Sequence, residues 1–315
     1  MYKWLTFLWL LGVLTLELAC SKPAAVQRNA PPLILSLPTL ALKANGFDRV
    51  ITIKASTAVK HVKYTLAPAL PTGSRISPAD CGDMKAGGTC ELTIHPGSKP
   101  SAAAGVASKP SRLRIQGVNT PALTTEVTIL AYGSYYQQGY VFALNDSTPA
   151  HQSVGATMMA LTDNHRQMAW HQGAILATKA MSLTNGALNT LKIHAHYPTE
   201  LNAVNLCATY TIDASSHSPC QAGAVCYSHW YLPSICELGP AAEQADCAQK
   251  TANIVTNVVL TPYGLGDLSG AYWSSTEINA GTAWVQNFVQ GDANAQLSMA
   301  KDFQLSVRCV RNSNS

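Results

Sequence analysis

The chain has 315 residues, enough for two ordinary domains, and 47% of them are hydrophobic, so each half can build a core. Only 12% are charged, about half the share usual in soluble domains. Asn, Ser, Thr, Gln and Gly supply the polar surface instead, a texture common in exported proteins. The formal charge of +4 comes with no interleaved basic and aromatic run, which argues against a nucleic-acid partner.

The first twenty residues, MYKWLTFLWLLGVLTLELAC, set one Lys ahead of an apolar run from Trp4 to Leu16. That run is too short for an ordinary membrane span and suits a signal-peptide core, so residues 1–20 read as a signal peptide. Ala19 before Cys20 resembles a bacterial lipobox, which makes Cys20 the lipidated mature N-terminus of an outer-membrane lipoprotein. Glu17 stands where an apolar residue is usual, and the rival is plain cleavage after Ser21, giving a secreted protein. On either reading the protein is exported, and an N-terminal lipid is its only expected membrane contact. Residues 21–33 form a Pro/Ala-rich linker.

Period-2 alternation begins after the linker. Val62, Tyr64 and Leu66 alternate with polar residues, as do Cys90, Leu92 and Ile94, and the pairs Leu113/Ile115 and Val127/Ile129. KANGFD, ALPTGS, KAGGTC, HPGSKPS and GVNTPA punctuate the runs. Short alternating strands with regular turns predict an antiparallel β-sandwich over 34–132. With Cys20 set aside, eight cysteines remain, an even number that favours disulfides in an exported chain. Cys81 and Cys90 flank GDMKAGGT, read as a hairpin loop closed by a Cys81–Cys90 bridge.

The texture changes over 133–315. GYVFALND (139–146) reads as a first strand, GALNTLKIHAHY and TELNAVNLCATY have helical spacing, a further helix is expected around 253–260, and short strands around Tyr272, Trp284 and Val307. In WYLPSICEL, Ser234 and Glu237 fit a capping box, with Pro233 and Leu238 at the hydrophobic-staple positions. Trp230–Leu232 is therefore expected to be buried and extended, feeding a helix after Ser234. Mixed strands and helices predict an α+β second domain. Charge divides between the parts: residues 34–132 hold eleven Lys/Arg and five Asp/Glu, a net +6, and residues 133–315 hold seven and eleven, a net −4. Seven of the nine histidines lie in the second part, so it becomes less acidic at low pH.

Signatures of catalysis are sparse. No G-x-S-x-G, H-E-x-x-H, P-loop or dinucleotide fingerprint is present, and no C-x-x-C pair suggests zinc. His194, His196 and Glu200 would hold a metal only on a strand, and the local pattern is helical, where i and i+2 point apart. His165, Trp170 and His171 lack a nucleophile in their segment. The densest patch is AYWSSTEINAGTAWVQNF, where Tyr272, Trp273, Trp284 and Phe288 lie among Ser274, Ser275, Thr276 and Glu277, a mixture suited to sugars or a protein partner or, equally, to a core with turn hydroxyls.

WYLPSICEL, then GAYWSSTE, then Trp284, Phe288 and Lys301, then VRCVR together resemble the Lcl C-terminal domain family (Legionella collagen-like protein C-terminal domain), over about 139–311. LPTGSRISPADCG and GGTCELTI resemble the Ig-like module that often precedes it in bacterial surface proteins. The resemblance implies a C-type lectin-like fold and a non-catalytic, adhesin-like extracellular role. The implied partner is a glycan, sulfated glycosaminoglycan included, or a host or surface protein. The ligand contacts expected in this domain are Glu277, Trp284, Lys301 and Arg308. Lys301, Arg308 and Arg311 lie close in sequence near the last strand and are expected to form a small basic spot, giving weak, salt-sensitive binding of acidic glycans that is stronger near pH 6 than pH 8 and to which the basic sandwich contributes. Six cysteines in the second part allow 15 pairings; the resemblance favours Cys207–Cys309, with local bridges Cys220–Cys226 and Cys236–Cys247. The collagen-like stalk of the family is missing, so the trimerisation it supports is not expected to carry over, and the E-P-N, Q-P-D and W-N-D calcium motifs are absent, so neither cofactor nor metal is expected. The alternatives are an enzyme of the formylglycine-generating, sulfatase-modifying type, which needs a reactive cysteine pair in a groove, or a purely structural envelope protein. The oligomeric state is left open.

Overall fold

The computed structural model describes residues 31–173, 175–240, 247, 251–262, 264–288 and 295–313. The signal peptide, Cys20 and most of the linker lie outside the described residues. From Pro32 onward the chain forms one compact unit, mostly β, with several sheets.

Nine strands build a sandwich: β1 Leu33–Leu35, β2 Thr39–Lys43, β3 Arg49–Ala55, β4 Val59–Ala67, β5 Arg75–Ser77, β6 Gly82–Met84, β7 Thr89–His95, β8 Ser111–Gln116 and β9 Leu123–Leu130. One sheet runs β1-β3-β7-β5 and the other β2-β9-β8-β4-β6. The alternation read from sequence is the reason. Leu113 and Ile115 on β8 point inward with Ser111, while Arg112 and Arg114 face out. Ile51, Ile53, Leu92 and Ile94 of one sheet meet Val62, Leu113, Ile115, Val127 and Ile129 of the other in a single buried cluster. One strand departs from the antiparallel expectation, β2 lying parallel to β9.

Cys81 and Cys90 are bonded, but they do not close a hairpin. β6 pairs with β4 and β7 pairs with β3, so the strands beside the two cysteines belong to different sheets. The bridge staples the sandwich across its layers.

The sandwich and the second half share a core. Ala41 and Leu130 pack with Val141, Val154, Ala156 and Met158. Val154 N–H donates to Ala41 O and Val50 N–H to Ala150 O. The fully buried Arg49 guanidinium donates to Thr148 O, Pro149 O and Asp146 O, and pairs with Asp146 Oδ1 at 2.6 Å. Such a junction is a rigid shelf rather than a linker.

The second half is strand-rich rather than evenly mixed. β10 Tyr135–Tyr136, β11 Gly139–Asn145, β12 Gly155–Ala160 and the terminal β20 Val310–Asn312 form one sheet. β13 His165–Ala169, β19 Gln304–Val307, β16 Ala271–Glu277, β17 Thr282–Asn287 and β18 Gln296–Ala300 form another, in that order. A small pair, β14 Ile212–Asp213 and β15 Cys226–Tyr227, stands apart. The helices are short: α1 Gly186–His196, α2 Ala203–Thr209 and α3 Ile235–Leu238, with a π-helical turn at Val255–Val259 inside the segment expected to be helical. Asn185 and Asn202 cap α1 and α2 with their side chains, and the Ser234/Glu237 capping box is formed. Ahead of it Trp230–Leu232 is buried, and Tyr231 bridges to Val310. The structure pairs Cys207 with Cys309, Cys220 with Cys226 and Cys236 with Cys247.

Candidate functional site

The residues singled out from sequence lie mostly inside the fold. Glu277 ends β16 with 3% of its surface exposed, and Lys301, after β18, has 4%. Lys301 Nζ donates to Glu277 Oε1 at 2.5 Å and sits 4.2 Å from the centre of the Trp170 ring. The carboxylate also accepts the amides of Thr178 and Lys179. Burial alone would push Glu277 up, but Lys301 and the two amides outweigh it and hold the carboxyl below its usual range. The pair pins the 176–180 segment to the sheet, so these two side chains are structural, not ligand contacts. Arg308, 2% exposed, gives bonds to Asp163 Oδ1, Ala160 O and Gly266 O. Arg311 gives bonds to Ser228 O and Gln137 Oε1 and lies over the Tyr227 ring. The expected basic spot of Lys301, Arg308 and Arg311 therefore does not form: each cation is buried against its own partners.

Trp284 is half-buried beside Ile235, Cys236 and Cys247. Tyr272 and Phe288 make an edge-to-face pair at 5.2 Å in the core, and the Ser274 and Thr276 hydroxyls donate to Trp284 O and Ser182 O. Tyr272, Trp273, Phe288, Ser274 and Thr276 of that patch serve the interior, while Trp284 keeps part of its surface exposed. His194 and His196 lie on α1; His194 bonds the Asn205 side chain, while Glu200 is taken by His171, which stacks on Tyr197 at 3.9 Å. Glu237 accepts the Ser234 amide and hydroxyl, the Gly186 amide and the Tyr231 hydroxyl, and burial raises its carboxyl despite these donors.

A groove opens elsewhere, where the sandwich meets the second half. Two adjoining hollows of about 180 and 430 Å³ share Ser108, Tyr136, Gln137 and Tyr227. Pro110 and Glu126 of the sandwich form one wall, and Ala214–Ser216, at the start of the connection between β14 and β15, form the other. Its floor is the turn between β10 and β11. Tyr136 stands opposite Gly139, which leaves a two-residue loop, Gln137–Gln138, with φ of 47° and 65°. Such a turn favours Asn-Gly, because left-handed backbone costs most side chains about 1–2 kcal/mol. Two glutamines hold it through their side chains. Gln138 donates to Ala214 O and accepts from the Tyr135 and Ser216 hydroxyls; Gln137 accepts from Arg311 and donates to the Tyr136 hydroxyl. Ser216 and His229 are left-handed as well, so among the described residues four of the six such residues that are neither Gly, Asn nor Asp lie at 137–138, 216 and 229, at or next to the groove. Strain of this kind concentrates at functional sites.

Apart from Glu126, the groove is lined by uncharged groups. Burial, reinforced by Tyr227, pushes the Tyr136 hydroxyl up to about 12, and burial also raises Tyr135 and Tyr227. All three remain uncharged at physiological pH. Glu126 supplies the carboxylate among the lining residues and is held by Arg112 at 3.2 Å. A signal for this site was present in the sequence: Tyr132, Tyr135, Tyr136 and Tyr140 fall within nine residues around QQG.

A β-rich, disulfide-stapled molecule with an aromatic groove at a rigid junction is thus the class that fold and site define. No protein-family model matches the chain, and no curated protein matches it. Among solved structures, a fimbrial protein from Bacteroides ovatus covers 89% of this chain and 70% of its own at 13% identity, with a TM-score of 0.32. The periplasmic chaperone SfaE covers 41% of this chain and 92% of its own at 7% identity and 0.28, and WR4, a Caenorhabditis elegans MSP family member, covers 32% and 100% at 14% and 0.25. At these scores the likeness carries no argument about what the chain does.

Proposed function

We propose that the chain is an exported, non-catalytic binding protein of the cell envelope or its surroundings, and that the junction groove takes a hydroxyl-rich, uncharged glycan. The observation that carries this reading is the convergence of Tyr135, Tyr136 and Tyr227 with Gln137, Ser108, Ser216 and Glu126 in a groove whose left-handed turn is braced by glutamine side chains. Aromatic rings offer apolar faces to sugar C–H groups, and amides, hydroxyls and a carboxylate meet the hydroxyls. Such a site needs no net charge, and that neutrality favours a neutral glycan over a sulfated one.

Three further observations support the reading. Every described cysteine lies in a disulfide, as suits an oxidising compartment outside the cytosol. Those bonds leave no described thiol presented in a groove, which disfavours the formylglycine-generating alternative. Glu277, Glu237 and Asp163, the buried carboxylates near the aromatic patch, are each committed to internal partners. Membership of the Lcl C-terminal domain family and a lipid on Cys20 belong to the same proposal.

Binding of residues 21–315 to panels of neutral and heparin-like glycans, at low and high salt and at pH 6 and 8, tests it. The expected result is neutral-glycan binding that persists at high salt and is lost in Tyr227→Ala. Binding confined to heparin-like chains and abolished by salt would overturn it.

A further inference from the structure

We propose that a second, separate site lies along residues 227–231, a ribbon that leaves the groove at Tyr227, and that it takes a planar apolar molecule carrying hydrogen-bond acceptors on one edge, such as an arene sulfonate or carboxylate. Ser228, His229, Trp230 and Tyr231 border an apolar bowl of about 500 Å³, within the roughly 300–1,000 Å³ usual for small-molecule sites. Ala187 and Leu191 of α1 and Ala208 of α2 form its walls, with Tyr210 and Trp230 as its aromatic surface. The bowl stays open because the helices present alanine at 187 and 208. Tyr210 meets Trp230 edge to face at 5.3 Å, and the indole N–H is already given to Tyr227 O, so Trp230 offers no free polar atom.

The rim has the opposite character. Among the described residues none partners the Tyr210 hydroxyl, the Ser228 hydroxyl or the His229 ring. The Thr211 hydroxyl accepts the Cys220 amide and keeps its own proton to give. Each of these groups has a proton to give, and among the described residues no Asp or Glu lines the bowl, so an acceptor-bearing and even anionic edge is welcome there. His229 stands at φ 62°, a left-handed backbone uncommon for any residue but Gly, and its exposed ring gains no described internal bond in return. Leu188 and Leu191 extend the apolar surface outward from α1, Leu191 with 67% of its surface exposed. A sugar, polar around its whole perimeter, would leave hydroxyls unpaired against these walls. The bowl and the groove thus call for different ligands.

The test uses 8-anilinonaphthalene-1-sulfonate as the probe, titrated by fluorescence into residues 21–315, with the methyl resonances of Ala187 and Ala208 followed by NMR. The expected result is saturable one-to-one binding that shifts both methyls. Ala208→Phe, which fills the bowl, should weaken it by about tenfold, equivalent to ~1.4 kcal/mol. Leu191→Gln, an exposed change that leaves folding alone, should weaken it several-fold and keeps the test decisive if Ala208→Phe fails to fold. Tyr227→Ala should lose the glycan and keep the probe, so the two sites fail separately. No saturable binding, no shift of the methyls, or affinity unchanged in Leu191→Gln would overturn the proposal.

Discussion

The C-terminal sheet and the junction groove both gather polar side chains at low exposure, yet they spend them differently. In the sheet, Glu277 with Lys301 and Asp163 with Arg308 are full charges closed on each other and on nearby backbone. In the groove the tyrosines and glutamines are neutral, and their bonds brace a strained turn whose residues line an open hollow. A buried ion pair repays its desolvation only when both partners stay paired, so it cannot also serve a ligand. Neutral aromatic groups meet no such demand. Density of charge and aromatics in a sequence therefore marks where a fold is knitted as readily as where it binds.

The largest effect expected from that contrast is on stability. Glu277→Ala strands Lys301 beside Trp170 in the interior, and loss of one member of a buried pair costs about 3–5 kcal/mol. Urea unfolding should show that loss, while the fraction that remains folded binds glycan as the parent does. Near-normal stability with lost binding would reverse the assignment of the two regions. Arg49→Ala comes next, at about 3 kcal/mol, because it frees Asp146 and three carbonyls at the shelf. It should also weaken glycan binding, since the groove is made by both sides of that shelf. A variant that melted the sandwich alone, with 133–315 unaffected, would show the halves to be independent.

The groove itself is expected to respond in affinity alone. Tyr227→Ala removes a ring shared by both hollows and should cost ~2 kcal/mol of binding, about thirtyfold in Kd, with little change in Tm. Equal losses of binding and stability would mean that Tyr227 is only packing.

Much of the fold was legible because its causes are local. Alternation on β8, the helical spacing of α1 and α2, and the Ser234/Glu237 box act within a few residues and can be read in a line of sequence. What was not legible is long-range. The Cys81–Cys90 spacing fits a hairpin, yet β6 and β7 joined different sheets, because pairing is decided by partners elsewhere in the chain. Lys301, Arg308 and Arg311 are neighbours in sequence, but their partners, Glu277, Asp163 and Gln137, come from three distant segments. The groove was missed for the same reason: Ser108, Tyr136, Ser216 and Tyr227 meet only when the sandwich and the second half are docked. The tyrosine cluster around QQG was the local trace of it.

Acid should separate two buried carboxylates. The Glu277 carboxyl is held below its usual value, so its contribution is full above the unfolded pKa of about 4.3 and is lost as pH falls through the folded value. Glu237 is raised by burial, so its contribution is full in acid and is lost as pH rises from the unfolded value through the folded one. Glu277→Gln should therefore fall behind the parent near neutral pH and close the gap in acid. Glu237→Gln should compare best with the parent toward neutral pH and worst in acid. Thermal melts from pH 3 to 8 read both curves, and parallel curves for the two variants would refute the opposed assignment.

The smallest expected effect concerns stored strain. His229 adopts left-handed backbone with its ring exposed and without a described partner, so its conformation is held by the ribbon around it and not by its own contacts. His229→Ala keeps that backbone cost and loses only the ring, whereas His229→Gly relieves the cost and gives back part of the gain as chain entropy in the unfolded state. The glycine variant should exceed the alanine variant by about 1 kcal/mol. Comparing glycine with alanine cancels the missing imidazole, so the difference reports the backbone alone. If the two melt together, the ribbon has shifted to a relaxed conformation, and the bowl and the groove should then be altered in both. If glycine is the more stable and both variants bind the naphthalene sulfonate weakly, the imidazole is retained at a cost to stability because the rim of the bowl needs it.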